Sequence, residues 1–169
     1  MDVIERASTY MGKGVGELVT ELAEQGIHLP KGYVRIGGFG DSEALSASLI
    51  ALILAGVKRG TCSLVWSWDF DGESIPKVGD IEIVLDWNDR PAFVRRATEV
   101  QIVPFDRVGA EFVASEGEGD RSLTYWREEH WRFFTNECSR IGREADHSMP
   151  LVCERFEVLY TLTPVLRRE

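Results

Sequence analysis

Gly56-Val57-Lys58-Arg59-Gly60-Thr61 stands where a predicted helix gives way to a predicted strand. Before it, over residues 42–55, apolar residues recur at the spacing of an amphipathic helix, at Leu45, Leu49, Leu52 and Ile53. After it, apolar and polar residues alternate over residues 61–68, as in a strand. The junction therefore places the amine of Lys58 three residues from the hydroxyl of Thr61, on a short connection flanked by glycines. An ordinary helix-terminal cation and a β-forming threonine have the same pattern.

The remaining sequence indicates a series of short helices and strands. Residues 1–34 predict an N-terminal helical appendage, and residues 35–169 predict the main domain. In the main domain we expect further strands at residues 81–85, 93–103 and 151–162, and helices at residues 106–114 and 122–141. A polar turn at residues 87–91 favours antiparallel pairing of the two strands that it joins. Strands in a meander with helices at the ends predict an α+β fold with a small, curved or closed barrel.

The composition is that of an acidic protein with enough apolar residues for a core. The chain has 169 residues, of which 44% are hydrophobic, and a formal net charge of −9. This charge repels polyanions, whereas a protein that tracks duplex nucleic acid must neutralise many phosphates with Lys and Arg. Basic residues cluster only locally, at Lys58 with Arg59, at Arg95 with Arg96, and at Arg107. We therefore expect a small-molecule nucleoside or a short RNA as the partner, and no duplex DNA.

The sequence predicts neither a membrane span nor a targeting segment. The apolar run around residues 49–57 is too short to cross a bilayer, and the acidic N-terminus lacks the basic start of a signal peptide. We expect a cytoplasmic protein with no membrane partner; the sequence indicates no particular oligomeric state. Cys62, Cys138 and Cys153 are widely spaced and form no C-x-x-C pair, and the three histidines are dispersed. We therefore predict reduced thiols, no metal site and no cofactor.

An ordered series of short motifs resembles a known family. The series consists of Phe39-Gly40-Asp41-Ser42, the junction at residues 56–61, Pro76-Lys77-Val78-Gly79-Asp80, Val103-Pro104-Phe105-Asp106, Glu116-Gly117-Glu118-Gly119-Asp120, Trp126 with His130, and Cys153-Glu154-Arg155-Phe156. Together these motifs, over about residues 36–161, resemble the ASCH domain family. The resemblance implies a PUA-like fold, that is, a small mixed β-barrel flanked by helices, and a role around RNA or its nucleosides.

The resemblance also implies a set of catalytic residues. Within the family, a small bacterial hydrolase removes acetyl groups from N4-acetylcytidine with a Lys, a Thr and a Glu. By motif the Lys is Lys58 and the Thr is Thr61, whereas the Glu is either Glu116 or Glu118, because the acidic stretch is longer here than in the small hydrolase. In such a set Lys58 acts as the base that activates the hydroxyl of Thr61. The carboxylate orients the amine or protonates the departing amino group.

Six further residues are candidates for substrate binding: Phe39, Arg59, Trp66, Arg121, Ser122 and Tyr125. Trp66 is the best candidate for stacking on a base, since strand alternation puts it on the face of Cys62 and Leu64, although core residues have the same pattern. A helix cap equally explains Ser122. Packing among aromatic residues equally explains His130.

Three function classes are therefore open. The first is a hydrolase that acts on an N4-acylated cytidine or a related modified pyrimidine nucleoside, by amide hydrolysis. The second is a ribonuclease that cuts short single-stranded RNA, since other members of the family are described as ribonucleases. The third is a non-catalytic RNA- or nucleotide-binding module, which binds its ligand without turnover.

Overall fold

The computed structural model describes residues 14–162, in which helices and strands are mixed along the chain. The helices are α1 (Val15–Glu24), α2 (Glu43–Leu54), α3 (Val65–Phe70), α4 (Ala110–Glu116) and α5 (Leu123–Arg140). The strands are β1 (Val34–Gly38), β2 (Gly60–Leu64), β3 (Ile81–Leu85), β4 (Pro91–Pro104) and β5 (Pro150–Thr161), and a 3₁₀ turn spans Phe105–Arg107. Within these residues, no helix has the length and apolar character needed to cross a membrane.

The five strands form one mixed sheet in the order β1-β3-β4-β5-β2. β1 runs parallel to β3, whereas the β3–β4 and β2–β5 pairs are antiparallel. The predicted α+β class and the predicted hairpin of β3 and β4 are therefore confirmed. Strands β3, β4 and β5 are neighbours in chain order, as in the predicted meander, whereas β2 lies beside β5 and β1 is an additional strand beside β3. Two glycines, Gly37 and Gly38, end β1 and weaken its strand signal in the sequence.

Two compact units divide the described residues. The first comprises residues 14–54, 79–96 and 157–162, and the second comprises residues 55–78 and 97–156. In the first unit, Leu18 and Leu22 of α1 pack in one core with residues of β1 and β3, among them Ile36 and Ile81. Residues 1–13 of the predicted appendage lie outside the described residues, and a domain boundary at residue 34 stays a prediction. The structure shows that α1 shares its core with the strands that follow it.

Helix α5 contributes much of the core of the second unit. Trp126, Phe134 and Cys138 lie on its buried face and pack with Leu64 of β2 and with Leu151 of β5. The Ser122 Oγ accepts a hydrogen bond of 3.1 Å from the backbone N–H of Tyr125, which caps the helix. The predicted helix and its cap are thus confirmed. Because α5 packs against β2, side chains from both elements lie close to one another near the junction at residues 56–61.

Residues 65–70 depart from the strand predicted over residues 61–68. β2 ends at Leu64, and the chain continues as α3. The Trp68 Nε1–H donates to Ser63 Oγ at 2.8 Å, and the Ser67 Oγ–H donates to Glu137 Oε1 of α5 at 2.8 Å. Aromatic and β-branched residues favour strands on average, but tertiary contacts decide the local structure here. Trp66 therefore lies on a helix, and its predicted place on the strand face of Cys62 is wrong.

Two helix predictions need smaller corrections. In α2 the buried positions are Ser46, Leu49 and Ile53, whereas Leu45 of the predicted apolar stripe is 40% exposed. The helix predicted at residues 106–114 is a 3₁₀ turn followed by α4, and two residues separate the end of the turn from the start of α4. Gly109 precedes α4 in an extended conformation, with φ −93° and ψ 157°, and this interrupts the helical path.

Candidate functional site

Lys58 is the centre of a buried ion-pair cluster in the second unit. The residue is only 1% exposed. Its Nζ donates a hydrogen bond of 2.7 Å to Glu118 Oε1 and lies 3.8 Å from Glu116 Oε1. The sequence placed Lys58 on a short surface connection, whereas the structure buries the whole side chain. Both glutamates that the motif left open therefore contact the same amine.

Backbone contacts hold the junction against the end of α4. The Arg59 N–H donates to the Ser115 carbonyl at 2.7 Å. A Cβ at Gly117, whose φ is +69°, would lie 2.7 Å from the Val57 carbonyl oxygen, so no side chain fits there. A Cβ at Gly60 would likewise collide with the Ser115 hydroxyl. Glycine at these positions lets the two backbones approach closely, which brings Glu116 and Glu118 to Lys58 from either side of Gly117.

Replacing Gly117 with Ala tests this close approach, with Gly142→Ala as the matched control. Gly142 also has a positive φ, +72°, but a Cβ there would meet nothing within 4 Å. Both variants carry the strain of a left-handed alanine, about 1–2 kcal/mol. We expect Gly117→Ala to lose about a further 1–3 kcal/mol of unfolding free energy, because the Val57 carbonyl must move. Urea denaturation measures both losses, and equal losses would show that the approach is not tight.

Glu116 forms the inner side of the cluster. It is 1% exposed, and its Oε2 accepts a hydrogen bond from the Trp126 Nε1–H. His130 Nε2 lies 3.3 Å from the same oxygen, and the Cys62 thiol also bonds to this carboxylate. Burial and then the nearby charge of Glu116 raise the pKa of Cys62 well above its ordinary value. Glu116 therefore connects Lys58 with side chains of β2 and α5, in a position that a solute reaches poorly.

Glu118 forms the outer side of the cluster. Its side chain is 26% exposed, in contrast with the 2% of the Glu116 side chain. The Tyr125 ring lies against the backbone of Gly119, where a Cβ would overlap the ring, and Tyr125 is 38% exposed. The backbone N–H of Arg121 donates to the Glu118 carbonyl at 3.0 Å, which closes the loop into α5. The loop thus carries the accessible carboxylate of Glu118, which contacts the buried amine of Lys58, and it packs against the exposed ring of Tyr125.

The loop is fixed further at its last residues. Asp120 Oδ1 accepts a hydrogen bond of 2.8 Å from the backbone N–H of Ser122. Hydrogen bonds from Ser122 lower the pKa of Asp120 below its ordinary value. Arg121 adopts a positive φ of 62°, which is uncommon for a residue with a side chain. The predicted binding residues Arg121 and Ser122 therefore shape the loop that carries Glu118.

Thr61 lies on the opposite face of β2 from the inner side of the cluster. Gly60 faces α4 and Cys62 faces Glu116, so strand alternation turns the residue between them away. Across the antiparallel pair, Thr61 stands opposite Glu154 of β5, which is buried. The structure thus brings the two glutamates to Lys58 but leaves Thr61 on another face of the strand.

The other predicted binding residues have separate contacts. The Arg59 Nη1–H donates to the Lys58 carbonyl at 3.2 Å, so this side chain folds over the junction. The Arg143 guanidinium lies 4.6 Å from the centre of the Trp66 ring, which packs against the core of the second unit. Phe39 belongs to the first unit, where it is 8% exposed and its ring centre lies 6.3 Å from that of Phe93. Its ring is thus a packing surface in that unit.

A cavity of about 350 Å³ adjoins α4 in the second unit. Its lining includes Arg107, Phe112 and Cys153. Arg155, also in the lining, lies 3.1 Å from Glu111 and 3.5 Å from Glu99. Burial raises the pKa of the Cys153 thiol to about 12, so this thiol is protonated at neutral pH. The two arginines are matched by two glutamates in the lining, which favours a ligand of low charge.

Comparisons with known proteins find a matching family model and similar solved structures. The family model of the ASCH domain matches residues 35–160. The chain is similar to the ASCH domain from Lactobacillus crispatus, with 34% identity and a TM-score of 0.75, over 85% of this chain and 93% of that chain. It is also similar to protein EF3133 from Enterococcus faecalis, with 32% identity and a TM-score of 0.73, over 86% of this chain and 88% of that chain. No curated protein matches the chain.

Proposed function

Because the chain belongs to the ASCH domain family, whose model covers residues 35–160, we propose that it is a hydrolase of N4-acylated cytidine or a related N-acylated pyrimidine nucleoside. Family membership supports the coarser description, an RNA-binding or hydrolase module. The observation that carries the finer proposal is the Lys58–Glu118 pair. A buried amine bonded at 2.7 Å to a partly exposed carboxylate is a suitable acid–base pair for amide chemistry.

The proposed reaction is a hydrolysis in which all atoms come from the amide and one water. The oxygen of the water bonds to the acyl carbon, the bond from that carbon to the exocyclic nitrogen breaks, the acyl group leaves as the carboxylic acid, and the nitrogen leaves with a proton as the amino group of the nucleoside. Glu118 takes the proton of the attacking group and returns it to the departing nitrogen. The Lys58 ammonium faces the negative charge that develops on the acyl oxygen. Glu116 positions Lys58 from the buried side, 3.8 Å from the amine.

The surroundings of the pair support a small, uncharged substrate. Tyr125 offers an exposed ring beside the loop that carries Glu118, and a pyrimidine can stack on such a ring. The cavity along α4 has about 350 Å³, within the usual size range of small-molecule sites, but its lining includes neither Lys58 nor Glu118. In its lining Arg155 is paired with both Glu99 and Glu111, and the whole chain carries a net charge of −9. These charges disfavour a substrate with many phosphates.

One observation favours the ribonuclease as a second candidate. Arg107 and Arg155 both line the cavity, and arginine is well suited to bind phosphate. A short RNA would then have to displace Glu99 and Glu111 from Arg155, whose contacts with them measure 3.5 and 3.1 Å. That displacement costs binding energy, so we rank this candidate below the hydrolase.

A panel of substrates tests the proposed function. The purified protein is incubated with N4-acetylcytidine, N4-acylcytidines with longer acyl groups, an O-acetylated uridine and short single-stranded RNAs, and products are separated by chromatography. We expect turnover of N4-acylcytidine and none of the RNAs. Cleavage of RNA together with intact acylcytidines would reject the proposal in favour of the ribonuclease, and binding without any turnover would favour a non-catalytic module.

Substitutions of Thr61 test whether its hydroxyl is the attacking group. The family resemblance assigns it that role, so we expect Thr61→Ser to retain measurable hydrolysis. Thr61→Val keeps a similar shape without the hydroxyl. Because strand alternation turns Thr61 away from Lys58 and Glu118, we expect this variant to stay active, and a loss of about 10²-fold or more in kcat/KM would identify Thr61 as the attacking group. Steady-state kinetics with N4-acetylcytidine gives both values. A fully active Thr61→Val would assign the attack to water, and a raised KM with unchanged kcat would make Thr61 a substrate hydrogen bond.

A further inference from the structure

Three side chains on the inner side of the cluster place different metal-ligating atoms together. One atom each from Cys62, Glu116 and His130 lies within 4.8 Å of the other two. The three residues come from β2, α4 and α5, which the core of the second unit packs together. A thiol, a carboxylate and an imidazole are the three donor types that zinc sites combine.

The imidazole of His130 is oriented by a second contact. Its Nδ1 lies 3.0 Å from the backbone carbonyl of Trp126, which is an acceptor, so Nδ1 carries the hydrogen and donates it. In the neutral ring the Nε2 then has a lone pair, which faces Glu116 Oε2 at 3.3 Å. Either a proton on Nε2 or a cation between the two atoms makes this contact favourable. An imidazole fixed through one nitrogen to a carbonyl, with its other nitrogen free to coordinate, is the usual arrangement of a metal-bound histidine.

We infer that Cys62, Glu116 and His130 bind a divalent cation of the zinc type. Zinc accepts sulfur, nitrogen and oxygen ligands together, whereas Ca²⁺ and Mg²⁺ require several oxygens, which this set lacks. With Zn–S near 2.3 Å and Zn–N near 2.0 Å, tetrahedral ligand atoms lie about 3.3–3.8 Å apart, so the side chains must close by about 1 Å. Cys62 and His130 are only partly buried as residues, which leaves room for that movement.

The charges around the three ligands balance when the cation is present. The Cys62 thiolate and the Glu116 carboxylate together neutralise two positive charges. Lys58 and Glu118 neutralise each other through their 2.7 Å contact, so the amine can stay in place beside the metal.

Three protein ligands leave one coordination position for a water or a substrate oxygen. Sites with three protein ligands are typical of catalytic zinc, whereas structural sites generally have four. The cation would also tie β2, α4 and α5 together directly beneath the Lys58–Glu118 pair. The inference does not depend on the proposed substrate, since binding of the cation is measured without any turnover.

Cobalt(II) is the probe for this site, because a thiolate bound to it gives an intense near-ultraviolet absorption band. Metal-free, reduced wild-type protein is titrated with Co²⁺ under argon, and Zn²⁺ is then added as the competitor. We expect one Co²⁺ per chain, a thiolate-to-cobalt band, and loss of the band on addition of one equivalent of Zn²⁺. A wild-type titration without a saturable thiolate band would overturn the inference.

Variants assign the ligands. We expect Cys62→Ser to abolish the thiolate band and His130→Gln to weaken Co²⁺ binding about 10-fold or more, whereas His147→Gln leaves both unchanged. The double variant Cys138→Ser/Cys153→Ser leaves Cys62 as the chain's single thiol, and we expect it to keep the band. This last protein decides the question even where Cys62→Ser fails to fold. A band that disappears in the double variant would place the thiolate at another cysteine and overturn the assignment.

Discussion

Lys58→Met is expected to abolish hydrolysis and to destabilise the protein at the same time. The variant keeps the length of the side chain but removes the charge that lies between Glu116 and Glu118. Both carboxylates lose their cation, and Glu116 is almost fully buried, so we expect a loss of about 3–5 kcal/mol in unfolding free energy. Without the ammonium, the developing oxyanion loses its donor, so we expect a loss of at least about 10²–10³ in kcat. Urea denaturation and steady-state kinetics measure the two effects.

Controls separate catalysis from folding in this variant. Lys31→Met replaces an exposed lysine in the first unit, and we expect it to change stability by at most about 0.5 kcal/mol. The double variant Lys58→Met/Glu118→Gln removes one of the two unpaired charges, so we expect it to regain part of the stability but none of the activity. A Lys58→Met protein that is as stable and as active as wild type would contradict the ion-pair cluster itself.

Glu118→Gln and Glu116→Gln are expected to have opposite profiles. Glu118 is the accessible partner of Lys58, so the variant Glu118→Gln should lose about 10²–10⁴ in kcat but less stability than Glu116→Gln, since Glu116 still faces the Lys58 amine. The Glu116 carboxylate accepts a hydrogen bond from the Trp126 Nε1–H and contacts His130 in the interior of the second unit. We expect Glu116→Gln to lose about 2–3 kcal/mol in stability, because an amide is a weaker acceptor for these groups than a carboxylate.

The comparison of the two glutamates decides which one acts on the substrate. The informative quantity is kcat measured on the folded fraction, with the unfolding free energy of each variant as the control. A greater loss of kcat in Glu116→Gln than in Glu118→Gln would reverse the two roles. It would also place the substrate on the inner side of the cluster, next to His130.

The elements with a strong local pattern were predictable from the sequence. The hairpin of β3 and β4 follows from apolar strands on either side of a polar turn, and α5 follows from its cap and its apolar face. α3 was not predictable, because Val65, Trp66 and Trp68 favour a strand and only contacts with α5 make this segment helical. β1 was missed since it is five residues long and pairs in parallel with a strand far along the chain.

Part of the candidate site was predictable for a similar reason. The motif series pointed to Lys58 and to two glutamates, and the structure brings all three together. The sequence could not rank the glutamates, since their different exposure depends on Gly117 and Gly119, whose positive φ angles turn the loop. Cys62 and His130 were not recognised as neighbours because they lie on separate elements. Two signals were available in the sequence. Cys62 lies two residues after Gly60 and so shares its face of β2, and His130 lies four residues after Trp126 and so shares its face of α5.

The most direct test of the central claim is the product balance of N4-acetylcytidine with wild-type protein. Nuclear magnetic resonance follows cytidine and acetate at about 50 and 200 mM salt. We expect equal amounts of the two products and a kcat/KM that changes by less than about threefold between the two salt concentrations, because no phosphates are bound. An inert N4-acetylcytidine, together with RNA binding or cleavage that weakens about a thousandfold over the same salt range, would contradict the central claim.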